Sequence, residues 1–125
     1  MRYDAFLEGR RVLIAEDEFL LALELEAVLE QQGCVVLGPV STVEGALALI
    51  DGQLLDGAVL DVNLRGRRVT PLAVALQERS VPFVLVTGYA ERQLSEPELR
   101  GQPRLDKPLD RENLLRALAH ALRGG

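Results

Sequence analysis

RVLIAEDEFLLALELEAVLEQQG, from Arg11 to Gly33, carries two periodicities in one stretch and decides the fold class. Arg11 to Ala15 (RVLIA) is a short, β-rich apolar run with the composition of a strand. Three acids follow it: Glu16, Asp17 and Glu18. From Phe19 to Gln32 the spacing becomes helical, with Leu21, Leu25, Val28 and Leu29 on one face. Gly33 is a natural stop, because glycine accepts the left-handed backbone that ends many helices. The stretch is one strand–loop–helix unit.

Outward from it the unit repeats. Cys34 to Leu37 (CVVL) reads as a second strand ended by Gly38-Pro39. Ser41 and Glu44 have capping-box spacing and open a helix with Val43, Ala46, Leu47 and Ile50 as its apolar stripe, closed near Asp51-Gly52. Gly57 to Leu60 (GAVL) is the third strand, and Thr70-Pro71 has the form of an N-cap plus first-turn proline for a helix to about Arg79. Pro82 to Val86 (PFVLV) is the fourth strand, its unbroken apolarity suiting a strand covered on both faces. Pro103 to Asp106 is a weak fifth. Asp110 caps the last helix, with Leu109 and Leu114 spaced as a hydrophobic staple and Leu115, Leu118 and Leu122 on the buried side.

Residues 89–102 (YAERQLSEPELRGQ) supply few apolar positions, and Pro97 interrupts any helix continuing from Ala90. A short or frayed fourth helix is expected there, one turn on either side of the proline. Strands alternating with helices predict a doubly wound α/β domain with a five-stranded parallel sheet in the order 2-1-3-4-5.

The chain's 125 residues suit a single domain spanning 1–125, with a core at about 10–123. A lone cysteine, Cys34, in an apolar run points to a reduced, buried thiol in a cytoplasmic protein. The N-terminal stretch has no apolar signal-peptide core, and no run approaches the ~20 residues of a membrane span. Net charge of −5 argues against nucleic-acid binding. Zinc-ligand spacings, a Walker A loop and a dinucleotide fingerprint are missing from the sequence. Of the 14 Lys and Arg residues only Lys107 is a lysine, which suggests a position needing a compact ammonium.

In such a fold, ligands bind beyond the carboxyl ends of the strands, where strand order reverses. Glu16, Asp17 and Glu18 follow strand one, Asp61 follows strand three, Thr87 strand four and Lys107 strand five. Taken singly, these are ordinary caps and turn residues. Jointly, they gather carboxylates, a hydroxyl and the only lysine on one rim. Clustered carboxylates repel unless a cation relieves them, and an all-oxygen site with few protein donors suits Mg²⁺. The same set fits phosphoryl transfer: a carboxylate to attack phosphorus, and a metal, a cation and a hydroxyl for its oxygens.

VLIAEDE (Val12 to Glu18), VLDVNLRG (Val59 to Gly66), VTGY (Val86 to Tyr89) and LDKP (Leu105 to Pro108) resemble, in order, the four signature blocks of response-regulator receiver domains, which have the flavodoxin-like (βα)5 fold. The resemblance implies that Asp61 is the phosphoacceptor and that Glu16 and Asp17 are the acidic pair. Asp17 would ligate Mg²⁺ directly and Glu16 through water, and the backbone carbonyl of Asn63 would complete the site. Thr87 matches the hydroxyl that moves to the phosphoryl group, Lys107 its lysine partner, and Gly88 the small residue beside them. The implied partner is a histidine kinase or a histidine phosphotransfer protein. The implied role is signalling rather than enzymatic: a stand-alone regulator, relay or phosphate sink acting on a downstream protein, with a homodimer among the possible forms and a phosphorylation-independent docking module as the alternative. A haloacid-dehalogenase-type phosphatase would want an Asp where Asn63 stands, and a flavodoxin would want a phosphate loop where the three acids lie.

Two features depart from the common pattern. The family usually has an aromatic three residues before the lysine, and here that position is Arg104. PFVLVTGY (Pro82 to Tyr89) resembles instead the subgroup nicknamed FAT GUY, which lacks the aromatic switch, with Leu85 and Val86 in place of its Phe-Ala. Ordering of residues 89–102 is therefore the expected readout of phosphorylation.

Overall fold

In the computed structural model, which describes residues 3–88 and 94–124, β1 (Arg11–Ala15), β2 (Val35–Val40), β3 (Gly57–Asp61), β6 (Phe83–Thr87) and β7 (Arg104–Asp106) form one parallel sheet. Its order is β2-β1-β3-β6-β7, the expected 2-1-3-4-5 topology once a small hairpin is set aside. That hairpin pairs β4 (Asn63–Leu64) with β5 (Arg67–Arg68) directly after β3. Arg65 and Gly66 join the two with φ of 50° and 82°, the double left-handed turn that matches strand twist. The fold is the flavodoxin-like, doubly wound parallel sheet.

Alternation along the strands sorts the core into two layers. Leu13, Ala15, Ala58, Leu60, Phe83 and Leu85 face α3 (Val43–Ile50) and α4 (Thr70–Glu78). Val12, Ile14, Val59, Val84 and Val86 face α2 (Phe19–Gln31) and α5 (Arg111–Leu122). β3 and β6 are buried throughout, as their continuous apolarity requires.

Several local details depart from the sequence reading. β2 does not end at Gly38-Pro39 but runs through to Val40, with a register shift opposite Leu13 and Ala15. An edge strand tolerates both the proline and the bulge. Gly38 is obligatory in that path: its φ is +93°, and a Cβ there would lie 2.8 Å from the Ile14 carbonyl oxygen. The cap of α3 is Thr42, whose hydroxyl accepts from the Gly45 N–H at 2.9 Å, rather than Ser41. Thr70 lies inside α4 instead of capping it, and its hydroxyl donates to Glu96. Gly33 ends α2 as expected, with Gly33 and Cys34 N–H groups returning to Glu30 and Leu29 in a complete Schellman pattern. Of the expected fourth helix, the part before Pro97 lies largely outside the described residues. The remainder is a turn over residues 97–101, not a helix, closed by Leu99 and Arg100 N–H groups on the Glu96 carbonyl.

An element absent from the sequence reading is α1 (Tyr3–Leu7). It packs on α5 and adds Leu7, fully buried, to the core layer that also holds Cys34, Leu118 and Ala121. Phe6 lies between two guanidinium groups, Arg10 at 4.4 Å and Arg123 at 4.3 Å from its ring centre. Leu7→Ala should cost about 3 kcal/mol, as at any fully buried leucine. Urea unfolding measures it, and a loss near zero would mean that α1 adds nothing to the core.

Candidate functional site

The carboxyl ends of β1, β3, β6 and β7 bring the expected residues to one rim. Glu16 leaves β1 and Asp61 ends β3, neighbours in the sheet, and both are almost wholly buried at 2% and 3% exposure. With Asp17 they offer three carboxylate oxygens within 4.8 Å of one another. Burial, aided by the neighbouring Asp61 carboxyl, pushes the Glu16 carboxyl up to about 8, while the Glu18 N–H on its Oε2 works the other way. Its second oxygen, Oε1, is buried with no hydrogen-bond partner. A buried, unpartnered carboxylate oxygen in an all-oxygen cluster is what a hard divalent ion satisfies.

Lys107 supplies the compensating charge. Its ammonium donates to Asp61 Oδ2 at 2.8 Å and to Glu18 Oε2 at 2.7 Å, and lies 3.6 Å from Glu16 Oε2. Burial opposes that charge, but the bonds to Asp61 and Glu18 outweigh it and hold Lys107 above the ordinary lysine range. Three oxygens around one nitrogen is a geometry for an ammonium with three donors, not for a planar fork. The solitary lysine of the sequence thus sits where only a lysine fits.

The other predicted residues hold the frame. Asn63 opens the β4–β5 hairpin, and its N–H donates to Asp61 Oδ1 at 3.0 Å. Asn63 Oδ1 is buried without a partner. Asp17 Oδ2 accepts the Arg65 N–H at 2.9 Å, tying the hairpin turn to the β1 end. Thr87, fully buried at the end of β6, donates its hydroxyl to Asp106 Oδ1 at 2.9 Å rather than to Asp61. Gly88 comes directly after it in the chain.

The sequence places Glu18 on the rim without a partner and misses Asp106 altogether. Glu18 reads as a cap, and it does hold the N-cap position of α2, but its side chain caps nothing and pairs with Lys107. Asp106 reads as the end of a weak strand, yet it is the partner of Thr87. Only the register of β6 against β7, Thr87 opposite Asp106, reveals that pairing. Farther along, Arg68 grips Glu96 through two contacts, 2.8 Å and 3.3 Å, and so fastens the segment after residue 93 to the hairpin beyond Asp61. Beside the acids a cavity of about 330 Å³ opens between Glu16, Asp17, Phe19, Leu23, Glu26 and Arg65.

Residues 12–119 match the family model described as the response regulator receiver domain. The transcriptional regulatory protein PdtaR of Mycobacterium tuberculosis is 32% identical over 88 residues, covering 70% of this chain and 43% of PdtaR. The phyllosphere-induced regulator PhyR of Methylorubrum extorquens is 31% identical over 114 residues, covering 89% of this chain and 43% of PhyR. The chain thus spans less than half the length of these curated relatives. The solution structure of SdrG from Sphingomonas melonis superposes with a TM-score of 0.80 at 38% identity, over 94% of this chain and 98% of that one.

Proposed function

This chain belongs to the response regulator receiver domain family, and from that premise we propose that Asp61 is its phosphoacceptor. The observation that carries the reading is the Lys107 ammonium on Asp61 Oδ2, beside a three-carboxylate cluster holding an unpartnered buried oxygen. A carboxylate oxygen of Asp61 attacks the phosphorus of a phosphohistidine in line, forming a P–O bond as the P–N bond breaks and the imidazole leaves. Lys107 balances charge on the transferred oxygens. The Thr87 hydroxyl donates to one of them, and Asn63 N–H orients the acceptor. Asp17 and Glu16, with Asp61 and the Asn63 carbonyl, are the groups that would hold Mg²⁺. When bound, the ion neutralises part of the negative charge that Asp61 and the phosphoryl oxygens bring together.

The donor is a histidine kinase or a histidine phosphotransfer protein, and the product is a signal passed to a downstream protein. Phe19, Leu20 and Leu23 support docking of the donor: they are 73%, 77% and 46% exposed on the first turns of α2, beside the acids. Among the described residues no helix is long and apolar enough to cross a membrane. We place the domain in the cytoplasm, where such donors present their phosphohistidine. The Arg68–Glu96 clamp supports residues 94–102 as part of the readout, because it joins them to the hairpin that begins two residues after the acceptor.

The test is incubation with Mg²⁺ and acetyl phosphate, followed by intact-mass measurement. One phosphoryl group per chain is expected, removed by chelating the metal beforehand. Absence of any mass gain with both acetyl phosphate and a phosphorylated kinase would overturn the reading. A companion measurement isolates the metal. Asp17→Asn keeps an oxygen for the Arg65 N–H but removes a charge, so Mg²⁺ affinity should fall at least about tenfold by calorimetry, with the fold intact.

A further inference from the structure

We propose that Asp106 is a positioning residue that holds the Thr87 hydroxyl in reserve, so that phosphorylation of Asp61 must take Thr87 away from it. This rests on the reading of Asp61 as phosphoacceptor and adds a residue to it. A threonine hydroxyl has one hydrogen to donate. In this structure that hydrogen points to Asp106 Oδ1, 2.9 Å away. It cannot at the same time serve a phosphoryl oxygen.

The sheet explains why the competitor is Asp106. Val86 and Leu105 pack in the layer of α2 and α5, while Leu85 packs in the layer of α3 and α4. The two-residue strand period then puts Thr87 and Asp106 on the α3–α4 side, as the last aligned pair of β6 and β7. Lys107, one residue on, turns to the opposite side and reaches Asp61. Adjacent residues of one strand end thus hold the two groups that a phosphoryl group on Asp61 would draw together.

The hydroxyl is fully buried, whereas Asp106 is exposed. Water can therefore replace Thr87 at Asp106 at little cost once the hydroxyl leaves. The exchange is reversible and biased toward rest. It also supplies an output where the aromatic switch is replaced by Arg104: release of Asp106 alters the charged face of β7, an edge strand of the sheet.

A single hydrogen bond of this kind lowers the population of the competent Thr87 rotamer by about three- to tenfold. Asp106→Ala should therefore take up phosphoryl from acetyl phosphate and Mg²⁺ about three- to tenfold faster than the parent chain. Asp106→Asn keeps an acceptor oxygen without the charge, and it should stay within about twofold of the parent. In a Thr87→Ala background, Asp106→Ala should change nothing. The proposal is overturned if the parent is phosphorylated but Asp106→Ala is no faster. It is equally overturned if Asp106→Asn matches Asp106→Ala, which would make the effect bulk charge, or if the gain persists without Thr87. No uptake by any of these chains would instead strike at Asp61 as acceptor, and the role of Asp106 would fall with it.

Discussion

Asp61→Asn should take up no phosphoryl group from acetyl phosphate while remaining folded. The amide cannot form the acyl phosphate, so the expected loss is complete on the intact-mass spectrum. The fold should hold because asparagine is nearly isosteric and keeps an oxygen for the Asn63 N–H. The substitution also takes one negative charge out of a buried cluster. Glu16 is raised to about 8 by burial first and by Asp61 second, so it should fall only part of the way toward its ordinary 4.5. That has a measurable sign. A carboxyl raised in the folded state binds a proton there that the unfolded chain has lost, so metal-free stability should decline as pH rises from about 4.5 to about 8. Asp61→Asn should flatten that decline. Urea midpoints across this range check it, and a residual phosphoryl mass on the variant would place the acceptor elsewhere.

Lys107→Met is expected to have the second-largest effect, and a double one. Phosphoryl uptake should fall about 100-fold or more, the usual consequence of removing a charged donor from the transferring group. Stability at neutral pH without metal should fall by about 2 kcal/mol, below the 3–5 kcal/mol of a fully buried pair because Lys107 keeps some access to solvent. Glu18, 62% exposed, contributes little to that figure. Mg²⁺ should restore much of the stability, since a divalent ion supplies the missing charge, but not the rate. Lys107→Arg should behave more like methionine than like lysine, because the guanidinium fork is too wide to sit among three carboxylate oxygens. A fully active arginine variant, measured by the same uptake assay, would show that charge alone suffices.

The strand order, the two-layer core and the acidic rim were legible in the sequence because each rests on a local pattern. Val12 to Ala15 and Phe83 to Val86 declare buried strands by composition, and the topology then puts Glu16, Asp61 and Lys107 together. Features set by packing or by register were not legible. Ser41 and Thr42 are equally good caps on paper, and backbone angles at the helix entrance choose between them. Helix α1 has too few residues to show a period, and Leu7 is recognisable as core only once α5 lies over it. The β4–β5 hairpin has only Gly66 as a signal, without the Asn-Gly or Asp-Gly pair that marks most such turns. Asp106 belongs to the site only through its place opposite Thr87. What a strand end points at can be read from period. What it pairs with needs the neighbouring strand.

Cys34 adds a different kind of consequence. It is the only sulfhydryl in the chain, its Sγ donates to the Leu7 carbonyl at 3.5 Å, and burial pushes its thiol up to about 11. Such a thiol is neither exposed nor ionised at neutral pH, so an alkylating reagent can react only when the core layer around it opens. Labelling kinetics at this one atom therefore form a stopwatch for the opening of the layer that holds Leu7 and Cys34, running without any engineered probe.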